Sequence, residues 1–258
     1  MPSQARLRAQ VAASVDAPST LLPFFPQLFH GLDCLGSEPE RVLALATRVS
    51  PDPDTTIIDL ASGKGGIAVA LAQRFHCHIM GIDACRAFVQ AADSLAHRLG
   101  EHDRCHFRVG DARRARKPHD AALMLGLFGF EKAAPLLHRL VRPGGWYILD
   151  DALARRTHSS GSIPTMADAL DTFHALGDQV LATSTPSRAE IALLDNRLES
   201  ALAANSRRLA RAKPRLRPAL REFMRRQRDA NHALLNTLSP VVWLVRRSSD
   251  FTARQRRT

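Results

Sequence analysis

Between Thr55 and Asp151 one pattern recurs, a short apolar run, then a turn, then a helical stretch, and it constrains the chain more than any other feature. Strands buried on both faces are apolar throughout, and parallel neighbours need a crossover helix to bring the chain back. The pattern therefore predicts a doubly wound, mostly parallel α/β sheet with helices on both faces. Its strands read as Thr56-Ile57-Ile58-Asp59-Leu60, His78 to Ile82, Cys105 to Val109, Ala121 to Leu125 and Trp146 to Asp150. The helix after the first strand places Ile67, Ala70, Leu71 and Phe75 on one face; further helices run from about Arg86 to Leu99 and from Lys132 to Leu140.

Past Asp151 the texture changes. Arg155 to Pro164 is a polar loop, Met166, Leu170 and Phe173 mark a helical face, and Gln179 to Thr183 reads as a sixth strand. Ser187 and Glu190 have the spacing of a capping box, and the helix they open continues through Ile191, Leu194, Leu198 and Leu202. Pro214 and Pro218 break it, since each lacks a backbone donor and clashes with the preceding turn. A second helix carries Leu220 to Leu235, and Val241 to Val245 is the last strand. The expected organisation is one domain: residues 1–50 an N-terminal helical lid segment, 51–185 the α/β core, 186–239 a helical insert, and 240–258 the last strand with a basic tail.

The net charge of +11 invites a nucleic-acid reading, because basic surfaces attract polyanions. Yet Lys64, Lys117, Lys132 and Lys213 are the only lysines, and the arginines are spread among Ala and Leu with little aromatic interleaving. Nucleic acid is a secondary expectation. No apolar run reaches the roughly 20 residues of a membrane span, and no secretory apolar core follows Arg6 and Arg8. Cys34, Cys77, Cys85 and Cys105 form no Cys-x-x-Cys pair, which suits a reducing cytoplasm. His76-Cys77-His78 lacks a distant matching pair, so no metal is expected.

A glycine-rich strand-to-helix turn in such a sheet lets backbone approach a ligand at the carboxyl ends of the strands. Here it reads Asp59-Leu60-Ala61-Ser62-Gly63-Lys64-Gly65-Gly66. This is neither the dinucleotide fingerprint nor a phosphate-binding P-loop, and the acid before the glycines favours a cationic ligand over a pyrophosphate. Asp83 ends the second strand, placed to accept ribose hydroxyls; Asp111 follows the third, placed to accept from an adenine amino group. Each acid, taken singly, reads equally well as a helix or loop cap.

Residues 57–151 resemble the core of the class I SAM-dependent methyltransferases. Ile58 to Gly66 resembles that family's first motif, Gly81-Ile82-Asp83 its ribose-binding strand end, Gly110-Asp111-Ala112 its adenine contact, and Arg142-Pro143-Gly144-Gly145 its turn before strand five. The chain departs from the pattern at Ala61, where the family has the first glycine of its turn. The resemblance implies a Rossmann-like seven-stranded sheet with an antiparallel last strand, S-adenosyl-L-methionine as cofactor, and a binding site of Asp59, Ala61, Ser62, Gly63, Gly65, Asp83, Ala84, Asp111, Ala112 and Leu125.

It also implies that the acceptor sits by the loop after strand four, Gly126-Leu127-Phe128-Gly129-Phe130-Glu131. That loop is apolar and lacks the Asn/Asp-Pro-Pro-aromatic sequence of amino-directed nucleic-acid enzymes, so a small organic acceptor is expected. Phe128, Phe130 and Phe25 are the expected pocket residues. Leu21 to Leu35 reads as an amphipathic lid or as an ordinary packing helix. Asp150, Asp151 and His158, with His30 behind them, are the candidate bases, although the Asp pair reads equally as the start of a loop. An RNA-directed enzyme using the Arg-rich C-terminal helices and a non-catalytic SAM-binding protein are the competing readings.

Overall fold

The computed structural model describes residues 11–155 and 163–249. Seven strands form one sheet: β1 (Thr56–Leu60), β2 (His78–Asp83), β3 (Cys105–Val109), β4 (His119–Met124), β5 (Val141–Ala154), β6 (Gln179–Ser184) and β7 (Leu238–Arg246). Their order is β3-β2-β1-β4-β5-β7-β6. Pairs from β3 through β5 are parallel, whereas β7 runs antiparallel to both β5 and β6. The order reverses between β1 and β4, which opens a crevice at their carboxyl ends.

The helices are α1 (Phe25–Leu28), α2 (Pro39–Thr47), α3 (Gly66–Phe75), α4 (Arg86–Arg98), α5 (Phe130–Leu140), α6 (Met166–Ala175), α7 (Arg188–Ala212) and α8 (Arg217–Asn236). Strand pleating sends sequence neighbours to opposite faces. Ile58, Met124, Tyr147, Leu149 and Trp243 pack under α5 and α6. Ile57, Leu123, Trp146, Ile148 and Val242 pack on the other side, under α2 and α3. A third core joins α1 to α7 and α8, with Phe25, Phe29, Phe88 and Phe223 in ring contact at centroid distances from 5.1 to 6.0 Å. The N-terminal segment and the helical insert thus share one apolar layer beside the sheet.

Several elements differ from the sequence reading. Leu21 to Leu35 is not one amphipathic helix but a 3-10 turn, Ser19–Phe24, followed by the four residues of α1. Pro23 and Pro26 lie inside this stretch and withhold the donors a longer helix would need. β5 does not stop at Asp150: its ladder with β7 continues to Ala154, so Asp150 and Asp151 sit inside a strand opposite Val242 and Val241. Pro214 and Pro218 act as expected, the first just beyond the end of α7 and the second in the opening turn of α8.

The β6 end of the sheet is fastened by one buried carboxylate. Asp178 accepts from the Tyr147 hydroxyl at 2.7 Å, His138 Nδ1 at 2.9 Å and the Ser248 amide at 3.1 Å. Asp178→Ala removes the acceptor that the buried Tyr147 hydroxyl and His138 share and should lower stability by about 3 kcal/mol in urea unfolding. A loss under about 1 kcal/mol would mean that the network is not structural.

Candidate functional site

The turn after β1 is shaped by its neighbour strand. Ala61 and Ser62 both donate backbone N–H groups to the Ile82 carbonyl, at 2.8 and 3.2 Å. Gly63 donates to Asp83 Oδ2 at 2.9 Å, and Cys85 donates to the other oxygen at 2.7 Å. Gly65, the N-cap of α3, has φ +80°, and a Cβ there would come within 2.8 Å of Ala92 Cβ. At Gly66 a Cβ would collide with the Asp33 carbonyl and Cys34 Sγ, so glycine is what admits the N-terminal segment against the turn. Lys64 Nζ completes the contact, donating to the carbonyls of Phe29, at 2.9 Å, and Leu32. Ala61 itself is left-handed, with φ +60°. This is the conformation for which a glycine is ordinarily required, and the added methyl group strains it.

The three strand-end acids have different surroundings. Asp59 is 4% exposed and accepts no hydrogen bond from the described residues; burial, and then the Asp83 charge, push its pKa up to about 7. Burial likewise pushes Asp83 up to about 6, against the pull of its two backbone donors. Asp111 is held low by Arg113, whose side chain and backbone N–H both donate to it. Its carboxylate is thus largely taken up by Arg113 at the rim of the site.

Two cavities meet along the turn. Asp59, Ala61, Ser62, Gly63, Asp83 and Leu125 line one of about 120 Å³, and Ala61, Asp83, Ala84, Asp111 and Ala112 line another of about 300 Å³. Ala61, Asp83 and Leu127 belong to both, so together they form a single groove over the strand ends. Gly65 lines neither of the two. A third cavity of about 470 Å³ shares Leu35, Gly36, Ser37, Gly126 and Leu127 with the groove and reaches toward α7 and α8.

Phe128, Asp150 and Asp151 line the third cavity. Phe25 and Phe130 do not, and both are fully buried. Phe130, as the first residue of α5, turns onto Phe173 and Trp243, while Phe25 joins the aromatic core of the N-terminal segment. Asp150 accepts from the Ser37 hydroxyl and from the Gly126 amide, the latter at 2.6 Å. Asp151 accepts from the amides of Phe130 at 2.9 Å and Ala152 at 2.7 Å. Burial raises the pKa of both acids, yet each is engaged in fixing the Gly126–Phe130 loop. His30 lines none of the three cavities, and His158 lies outside the described residues.

Sequence reasoning missed Ser37, Arg41 and Asp195, all on the wall of the third cavity. A signal existed for Asp195, which interrupts the apolar stripe of α7 four residues after Ile191 and three before Leu198. Among the described residues no cluster of three or more His, Cys, Asp or Glu side chains is arranged to hold a metal, and no helix is long and apolar enough to cross a membrane. In the basic stretch, Arg225 and Arg226 are paired with Glu222, and Arg228 with Glu199.

A glycine turn backed by strand-end acids on a sheet of this order defines the class I SAM-dependent methyltransferase fold. Residues 57–145 match a family model described as a methyltransferase domain. The chain is similar to an uncharacterized protein of Escherichia coli, YjhP, at 29% identity over 130 residues, covering 48% of this chain and 52% of that one. The alignment therefore spans about half the length of that relative. The crystal structure of the same E. coli protein superposes with a TM-score of 0.73 at 21% identity, covering 87% of this chain and 98% of that one. A SAM-dependent methyltransferase from Geobacter sulfurreducens, in complex with S-adenosyl-L-homocysteine, gives 0.74 at 22% identity, covering 86% and 97%. A third, from Thiobacillus denitrificans and with the same ligand, gives 0.72 at 20% identity, covering 86% and 97%.

Ala61→Gly should relieve the left-handed strain by more than it costs in chain entropy, raising stability by about 0.5–1 kcal/mol. A urea midpoint that stays put or falls would contradict this.

Proposed function

We propose that this chain binds S-adenosyl-L-methionine in the groove and transfers its methyl group to a small organic acceptor in the adjoining cavity. The observation that carries this reading is the adjacency of the two spaces, which share Gly126 and Leu127 in their walls and put a largely apolar chamber beside the strand-end acids. The residues present fit the cofactor. Asp59, buried and without a hydrogen-bond donor among the described residues, suits a cationic group. Each Asp83 oxygen holds one backbone donor and keeps a lone pair for a hydroxyl. The S-adenosyl-L-homocysteine complexes of the Geobacter and Thiobacillus proteins support the same assignment.

When bound, the cofactor supplies an electrophilic methyl group, so the protein's task is chiefly orientation and exclusion of water. Leu127 and Phe128 provide the apolar lip between groove and chamber. Asp150 and Asp151 hold that lip through the Gly126 and Phe130 amides, a positioning role in place of the proton transfer that their sequence position suggested.

Titration calorimetry with S-adenosyl-L-homocysteine should show binding that Asp83→Ala weakens at least tenfold; no binding by the wild type would overturn the proposal. Methyl-labelled S-adenosyl-L-methionine, added with cell extract, should pass label into the small-molecule fraction. Label in RNA would favour that acceptor, and none anywhere would leave a binding protein.

A second expectation concerns pH. A ligand bearing an amino group favours ionised Asp59, so binding below about pH 7 should release a proton, with affinity rising from about pH 5.5 to 7.5 and then levelling. Titrations in buffers of different ionisation enthalpy read that proton directly. Without ligand the sign reverses: the folded protein retains protons on Asp59 and Asp83 that the unfolded chain has lost. Stability should therefore fall as pH climbs from about 4 to 7.

A further inference from the structure

The chamber beside the groove has a sign of its own. In a chain of net charge +11, the ionisable wall residues among those described are Glu38, Asp150, Asp151, Glu190 and Asp195 against Arg41. Arg41 answers Glu38 and Glu190 at 3.4 and 3.0 Å. Asp150 and Asp151 take the hydroxyl and backbone donors already described. Asp195 is different.

The residue is 9% exposed, stands on the apolar stripe of α7 and lines the chamber; neither carboxylate oxygen has a hydrogen-bond partner among the described residues, and Oδ2 is buried. On the α8 wall, Gln227 commits its amide to the Val15 carbonyl at 3.2 Å, and Asn231 makes no hydrogen bond among the described residues. A buried anion without a partner opposes folding unless something else in the site compensates it. Burial, with Glu199 one turn away, accordingly raises the Asp195 pKa.

We infer that Asp195 anchors an amine-bearing acceptor: an apolar skeleton with one protonated nitrogen, its body against Leu194, Leu198 and Leu234 and its charge on the Asp195 carboxylate. The inference rests on the methyl-transfer reading and names the substrate class for it. The excess of acids repels carboxylate and phosphate acceptors, and the apolar walls disfavour small, strongly hydrated cations. At about 470 Å³ the chamber suits a molecule larger than a simple ammonium ion.

The test uses three probes of one shape and different charge: phenethylamine, 2-phenylethanol and 3-phenylpropionate. Each is titrated at pH 7.5 into the full chain, with and without saturating S-adenosyl-L-homocysteine. The amine should bind at least tenfold tighter than the alcohol, with the carboxylate weakest. Asp195→Asn, which keeps the shape and removes the charge, should shrink that preference below threefold and leave S-adenosyl-L-homocysteine affinity within twofold of wild type. Asp195→Leu should do the same and raise the Tm, and it carries the test should the Asn variant fold poorly. Equal binding of the three probes, no amine binding at 10 mM, or a preference that survives both substitutions would overturn the inference. Failure of S-adenosyl-L-homocysteine to bind the wild type would instead sink the cofactor assignment, while the probe series without it would still read Asp195.

Discussion

One carboxylate organises the carboxyl edge of the sheet. Asp83 ends β2 and bonds backwards to Gly63, in the turn after β1, and forwards to Cys85, at the start of α4. Two crossover turns that would otherwise move separately are thereby made one edge, and the Ala61 and Ser62 amides on the Ile82 carbonyl reinforce it. The arrangement buries Asp59 and Asp83 as like charges, and burial first, then the Asp83 charge, raises the proton affinity of Asp59. Such a pair is costly in a protein interior. It persists beside a sheet whose other buried strand residues are almost entirely apolar.

The N-terminal segment depends on that edge as well. Lys64, projecting from the glycine turn, takes the carbonyls of Phe29 and Leu32, while Asn205 of α7 takes those of Leu28 and His30. Backbone carbonyls in this proline-broken stretch have few partners of their own, and buried ones must find them. The segment is therefore suspended between the turn and the helical insert, with its aromatic side chains filling the layer between them.

The features that were legible in the sequence are those decided by near neighbours. The apolar run Thr56 to Leu60, the strand that ends at Asp83, the capping box at Ser187 and Glu190, and the breaks at Pro214 and Pro218 all depend on a few adjacent residues, and all lie where the pattern put them. What was not legible depends on partners far along the chain. β5 runs on past Asp150 only because β7 arrives antiparallel beside it, and Phe25 and Phe130 are core residues only because Phe88 and Trp243 come to meet them. Ala61 sits between these cases. Its departure from the glycine pattern was visible, but the left-handed backbone it must adopt was not. Asp195 was legible in principle, as a charge in an apolar stripe, yet its meaning needed the chamber that α7 and α8 enclose.

The wall common to groove and chamber has a thermodynamic corollary. Gly126 and Leu127 form part of both, held by Asp150 on one side, and Ser37, bonded to the same carboxylate, also faces both. A guest in either space presses on the same few atoms. By linkage, whatever factor the first guest imposes on the second guest's affinity, the second returns in full. Reciprocity of this kind means that any coupling carried through this short turn is measurable from either direction.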